Sequence, residues 1–295
     1  MTDDGRPRYL RSALNRPPET AQAPKRRGRV RPHKPDRGLR GDARNRDRGH
    51  VAPAATSAIR GDLGGNLPYA GGAGVAVVAI VRETVPSLLE IMDATTVRAV
   101  EALQPMDLDL EAAAYVYARS DAGGHQAVAD VERMSDLCER AGASLVVTTD
   151  EEAEGRLVMA ARRLAYPALE RLGATILDDV CVPLGCVPQL LEGVASIARR
   201  RSVIIATFGH AGDGNMHPTI VYDLADRDAL RSARAAFDDI VRLALALRGT
   251  VTGEHGVGML KQPLLGEELG ASAALHRAVK GALDPHGTLN PGRAI

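Results

Sequence analysis

The stretch that most restricts the fold is "SVIIATFGHAGDGNMHPTIVYD", residues 202–223. Two apolar, β-branched runs, 202–208 and 217–223, flank a loop rich in Gly with one Asp and one Asn. Runs of that composition read as strands, and Gly, Asp and Asn supply the backbone conformations of turns. Two strands that abut across so short a connection suggest a hairpin and a mostly antiparallel sheet.

Around this hairpin, strand and helix signals alternate. "SLLEIM" (87–92), "AAAYVYAR" (112–119), "SLVVTT" (144–149) and "ATILDDVCV" (174–182) read as strands. Asp93 is placed to cap a helix from Ala94 to Leu103. Val128, Val131, Met134, Leu137 and Cys138 repeat at helical spacing within 125–141. Asp150 opens a helix to about Leu164, 187–200 is another, and 228–247 is a long amphipathic one. Alternation interrupted by a hairpin predicts an α+β fold: a mostly antiparallel sheet covered by helices on one face. The repeated strand–helix–strand spacing suits ferredoxin-like halves, although no internal sequence repeat is found.

The front of the chain has another character. Residues 1–50 carry 13 Arg and 2 Lys against 5 Asp and 1 Glu, in a chain whose net charge is zero. Such an Arg/Pro/Gly-rich segment buries too little apolar surface to offset its ordering entropy. Residues 1–74 are therefore expected to be a disordered tail and linker, and 75–295 the folded domain. The tail invites a nucleic-acid reading, but only Tyr9 is available for stacking and no folded recognition motif follows. No nucleic-acid partner is expected. "GDLGGNLPYAGGAG" (61–74) lacks the preceding strand that a phosphate-cradling loop requires.

Three cysteines, an odd number, make no disulfide framework, and no signal-peptide pattern is present. Both features point to the cytoplasm. The most apolar run, Ala70–Val81, has 12 residues. A membrane span needs about 20, so no transmembrane segment is expected.

The chemistry concentrates in two Gly-rich segments. If the hairpin forms, His210 and His217 lie near its strand ends, where cross-strand Cβ atoms are roughly 4.5–5.5 Å apart. Two imidazoles at that distance can share a divalent ion, although a Gly/Asp/Asn turn with incidental histidines is the competing reading. The loop is expected to face the surface. Asp213 and Asn215 could accept or donate hydrogen bonds within the loop, or orient the histidines. A third ligand is expected in "GTVTGEHGVGMLK" (249–261), where Glu254 and His255 are adjacent. Neighbouring side chains on extended backbone point to opposite sides. Glu254 can then be a ligand while His255, titrating near neutrality, moves a proton. "ALDPHGTLNPGRAI" (282–295) reads as a helix end followed by turns.

"FGHAGDGNMHP", "GTVTGEHGVGMLK" and "ALDPHGTLNPGRAI", in this order, resemble the C-terminal domain of FAD-linked oxidases. That group includes bacterial glycolate oxidases, D-lactate dehydrogenases and D-2-hydroxyglutarate dehydrogenase. "PSLLEIMDATTVRAVE" (86–101) and "ARRLAYPALERLGATILDDVCVP" (161–183) carry the resemblance further, so that it covers roughly 75–295. It implies a FAD-dependent oxidoreductase acting on the CH–OH group of a small D-2-hydroxy acid such as glycolate or D-lactate. It implies His210, His217 and Glu254 as ligands of a divalent metal, zinc by analogy, and His255 as the base. It implies Arg162 as the partner of the substrate carboxylate, and Asn215 and Asn290 as residues approaching the flavin.

Departures from the family pattern are Gly185 and Cys186, where a Ser and a basic residue are common, and Arg248, where a glycine is common. The family carries FAD mainly on an N-terminal domain that the start of this chain does not resemble. The chain is therefore expected to hold the substrate half of a site, as from a truncated gene, and to need a FAD domain or an electron-transfer subunit as partner. A flavin-free metal-dependent hydrolase or a metal-binding module is the alternative.

Overall fold

The computed structural model describes residues 61–68 and 70–293. The expected arm over residues 1–50 lies outside them. One eight-stranded sheet runs through the described residues, and its paired strands are antiparallel. The strands are β1 (Gly61–Leu67), β2 (Leu88–Asp93), β3 (Ala114–Ser120), β4 (Leu145–Thr149), β5 (Ala174–Leu177), β6 (Val180–Cys181), β7 (Ile204–His210) and β8 (Asn215–Tyr222). Their order is β4-β1-β3-β2-β7-β8-β5, with β6 also on β8. The helices are α1 (Ala70–Glu83), α2 (Ala94–Leu103), α3 (Gly124–Arg140), α4 (Glu152–Val158), α5 (Ala160–Glu170), α6 (Val187–Arg201), α7 (Arg227–Ala246), α8 (Gln262–Leu269) and α9 (Ala273–Leu283).

The order contains the ferredoxin-like halves. In the first half β1, α1, β2, β3, α3 and β4 follow one another, with α2 inserted after β2, and the spatial order is β4-β1-β3-β2. The second half repeats this with β5 and β6 as its first strand, then α6, β7, β8 and α7. Its fourth strand shrinks to one bridge, Cys181 with Thr250. The halves join where β2 pairs with β7.

Local sequence explains the elements. The Asp93 carboxylate accepts the Thr96 amide at 2.8 Å and starts α2. Burial pushes that carboxyl up to about 6, against the hydrogen bonds from Thr96 and Thr207. Asp226 caps α7 in the same way, and Ala233, Ala236, Phe237, Ile240, Val241 and Ala244 form its buried stripe. Each large apolar side chain buried in this way contributes about 1.5–3 kcal/mol.

Four expectations are corrected. Residues 61–74, expected as linker, form β1 and the start of α1; glycines in place of large residues conceal that strand, which is buried along its whole length. Helices cover both faces of the sheet. One apolar cluster joins α1, α3, α6 and α7 to one face. A second joins α2 and α5 to Met92, Tyr115, Tyr117 and Phe208 on the other. The helix expected from Asp150 to Leu164 is two helices reaching Glu170. The strand expected over 174–182 breaks at Asp178 and Asp179, both buried. No helix among the described residues is long and apolar enough to cross a membrane.

Candidate active site

The hairpin forms, with β7 ending at His210 and β8 beginning at Asn215. Gly214 closes the turn at φ 80°, and a Cβ there would lie 2.1 Å from the Val182 carbonyl oxygen. Only glycine meets both demands. His210 pairs with Asn215, and Phe208 with His217. The two imidazoles are therefore diagonal neighbours on one face, with ring centroids 5.3 Å apart and planes at 88°. The loop was expected to face the surface, but His217 is buried, at 4% exposure. Phe208 lies beside it and the His255 ring covers it.

Glu254 and His255 arrive from the chain after α7. Past the Thr250 bridge the backbone wraps the Asp179 carboxylate. Its Oδ2 accepts from Thr252 Oγ1 (2.8 Å) and the amides of Gly253 (2.9 Å), Glu254 (3.0 Å) and His255 (2.9 Å). Burial opposes ionisation of Asp179. The donors from His255, Thr252 and Glu254, with the Lys261 charge, outweigh it and hold the carboxyl well below its usual range. Lys261, itself buried, donates to the Asp179 carbonyl oxygen at 2.5 Å and lies 3.0 Å from Asp178 Oδ1. Burial pushes Asp178 upward, with Lys261 opposing.

The side chains converge on one oxygen. Glu254 Oε1 is 3.3 Å from His210 Nε2, 3.5 Å from His217 Nε2 and 3.5 Å from His255 Nε2. The His255 ring stacks on His217 at 4.9 Å with planes 1° apart. One donor atom each from His210, His217 and Glu254 lie within 4.8 Å of one another. Ligands about 2.0–2.1 Å from a tetrahedral ion are themselves about 3.4 Å apart. The two His–Glu separations match that spacing, so the residues present fit a divalent metal.

Glu90 on β2 completes the arrangement. Its Oε1 is 2.6 Å from His210 Nδ1 and its Oε2 accepts Arg162 Nε at 2.7 Å. Holding Nδ1 leaves His210 Nε2 to face Glu254 Oε1. Burial by itself lowers the His210 pKa, but the hydrogen bond and charge of Glu90, with Glu254, raise it on balance. His217 goes the other way. Burial, then repulsion from His255 and His210, brings it down to about 4, so its imidazole is neutral at pH 7. A cavity of about 480 Å³ opens beside His210 and Glu90, bounded by Pro86, Leu88, Gly212 and Asp213.

Residues 67–294 match the family described as FAD linked oxidases, C-terminal domain. The chain belongs to that family. It is 36% identical over 218 residues to the glycolate oxidase subunit GlcD of Bacillus subtilis, covering 72% of this chain and 46% of the relative. It is 30% identical over 219 residues to a D-lactate dehydrogenase of Anaerostipes hadrus, covering 70% and 46%. The chain thus spans about half the length of these relatives. A solved 4-ethylphenol oxidase of Gulosibacter chungangensis shares the fold, with a TM-score of 0.60 at 14% identity over 81% of this chain and 54% of that one.

Within this FAD-linked oxidase domain the structure brings together most of the residues singled out by sequence. Arg162, on α5, packs its guanidinium 4.7 Å over the Phe208 ring and is tied through Glu90 to His210. Asn215 is buried against Gly253, where a Cβ would lie 2.3 Å from Asn215 Oδ1, and that oxygen has no hydrogen-bond partner. Asn290 stands apart. It is exposed in the turn after α9, and among the described residues no hydrogen bond or ion pair joins it to the histidines. Arg248, in a position where the family favours glycine, has φ 62°.

Sequence reading missed Glu90, Asp178, Asp179 and Lys261. A signal existed for three of them. Glu90 interrupts the apolar run "SLLEIM", and Asp178 and Asp179 interrupt "ATILDDVCV". A carboxylate in a buried strand requires a partner, and each has one or more.

Proposed function

We propose that this chain supplies the substrate- and metal-binding half of a FAD-dependent dehydrogenase or oxidase acting on the CH–OH group of a small D-2-hydroxy acid such as glycolate or D-lactate. The observation that carries the reading is the convergence of His210, His217 and Glu254 on one point, with His255 against the same carboxylate oxygen, in a chain of this family.

His210 and His217 through Nε2, and Glu254 through Oε1, would hold a divalent cation, zinc in this proposal. Such a cation supplies Lewis-acid polarisation and a template for hydroxyl and carboxylate, while FAD supplies the hydride acceptor. His255 takes the hydroxyl proton at Nε2. Its ring is stacked flat on His217, which orients that nitrogen without holding its proton. Arg162 binds the substrate carboxylate through its terminal nitrogens, since Glu90 already engages Nε and presets the plane of the fork. Asn215 and Asn290 are the positions proposed to meet the flavin. Half of each relative lies outside the match. We accordingly propose a FAD-bearing domain or an electron-transfer subunit as partner. The cysteine usage supports a cytoplasmic site of action.

The test is ligand binding to the zinc-loaded chain. D-lactate or glycolate should bind saturably by NMR line broadening, and binding should disappear on chelation and in Arg162→Ala. Equal binding with and without zinc overturns the proposal.

A further inference from the structure

The Asp179 carboxylate has a role that the ligands alone do not explain. It sits on the break between β5 and β6 at 1% exposure and gathers one hydroxyl and three consecutive amides, from Thr252 to His255. Consecutive amides converging on one anion fix the backbone of that segment, and with it the directions of the side chains it carries. The segment carries Glu254 and His255. Both have about half their surface exposed, so apart from the stack of His255 on His217 neighbouring side chains do little to hold them.

The other Asp179 oxygen faces the hairpin. Oδ1 is 3.8 Å from His217 Nδ1, and that nitrogen is buried without a hydrogen-bond partner. On His210 the corresponding nitrogen is held by Glu90 at 2.6 Å. A closing movement of less than about 1 Å would bring His217 to ordinary hydrogen-bond distance. Each ligand imidazole then has a carboxylate behind it, which sets which nitrogen is offered forward. Lys261 closes the unit by holding the Asp179 carbonyl and Asp178.

We propose that Asp179 is the positioning residue of this site: its carboxylate fixes the Thr252–His255 backbone, and so the Glu254 and His255 side chains, and it backs His217 when metal is bound. The inference rests on the metal reading of His210, His217 and Glu254.

The test is zinc affinity of the full chain, measured by competition with a chromophoric chelator. Asp179→Asn keeps the shape but turns one oxygen into a donor facing donors. Affinity should fall about 10–100-fold, the range for a residue supporting metal ligands. Asp178→Asn, one residue away but not holding the loop, should lose less than about threefold while also lowering the melting temperature. A purely structural role would make the two variants behave alike. In a Thr252→Val background the Asp179→Asn loss should shrink, because the two share one hydrogen bond. Where Asp179→Asn does not fold, Thr252→Val removes one donor and should cost a few-fold in affinity. A parent chain that takes no zinc sinks the metal reading itself. A parent that binds zinc, with folded Asp179→Asn or Thr252→Val at unchanged affinity, overturns the role of Asp179.

Discussion

The two halves of the sheet share a topology and differ in what they do with it. The first half is regular: β1 is an unbroken strand of seven residues, and β4 pairs with it over five positions. Its buried Asp62 is answered by a partly exposed Arg119 at 2.7 Å. The second half breaks its first strand at Asp178 and Asp179 and reduces its fourth to the single Cys181–Thr250 bridge. The chain released from pairing becomes the segment with Glu254 and His255. The first half gives the site Glu90, from the strand that joins the halves. The proposed site lies where the repeat is broken, because a completed ladder would direct those amides to a neighbouring strand and not to a carboxylate.

The sharpest way to break this comparison is to remove a proposed ligand that only the broken half carries. Glu254→Ala should take up no zinc at concentrations that saturate the parent chain, with little change in thermal unfolding, because the side chain is half exposed. Full occupancy by elemental analysis would detach the loop from the metal. Next, Lys261→Met leaves Asp178 and Asp179 buried without their cation and should cost about 3–5 kcal/mol in denaturant unfolding. Arg119→Met in the regular half should cost about 1–3 kcal/mol, since water reaches that pair more easily. Equal costs would erase the distinction.

The pH dependence separates the two histidines. His217 is lowered to about 4 in the folded chain, from an ordinary 6.5. Between those values the unfolded chain binds more protons, so stability falls as pH drops, by up to the order of 3 kcal/mol. His210 is raised, so its contribution is complete below 6.5 and is lost as pH rises through its folded value. Denaturant midpoints of the metal-free chain should therefore decline on the acid side, and His217→Gln should flatten that decline. A slope unchanged by the substitution would refute the assignment. The smallest effect expected is a gain. Arg248 holds φ 62°, and Arg248→Gly should stabilise the chain by about 1 kcal/mol, read from the melting temperature.

Much of the fold was legible because its elements are local. The Asp93 cap lies within one turn of sequence and the α7 stripe recurs every three or four residues, so spacing suffices to find them. Strand β1 was not legible. "GDLGGNL" is glycine or polar at five of its seven positions, and it is buried only because α3 and the flanking strands β3 and β4 enclose it. The two ferredoxin-like halves were legible in the strand–helix–strand spacing but not as a sequence repeat, since they share connections rather than residues. In the site, His210, His217, Glu254 and His255 could be named from sequence, because each sits in a Gly-rich stretch that no packing argument requires.

The sequence by itself determined the side-chain types of the proposed ligands, the hairpin that presents two of them, and the alternation that makes an α+β domain. Only the tertiary structure decided what stands behind those ligands. Glu90 is 120 positions from His210, and Asp179 is 76 from His255. The reason is physical. A side chain's chemistry is intrinsic, but its orientation depends on partners that only folding brings within hydrogen-bond reach.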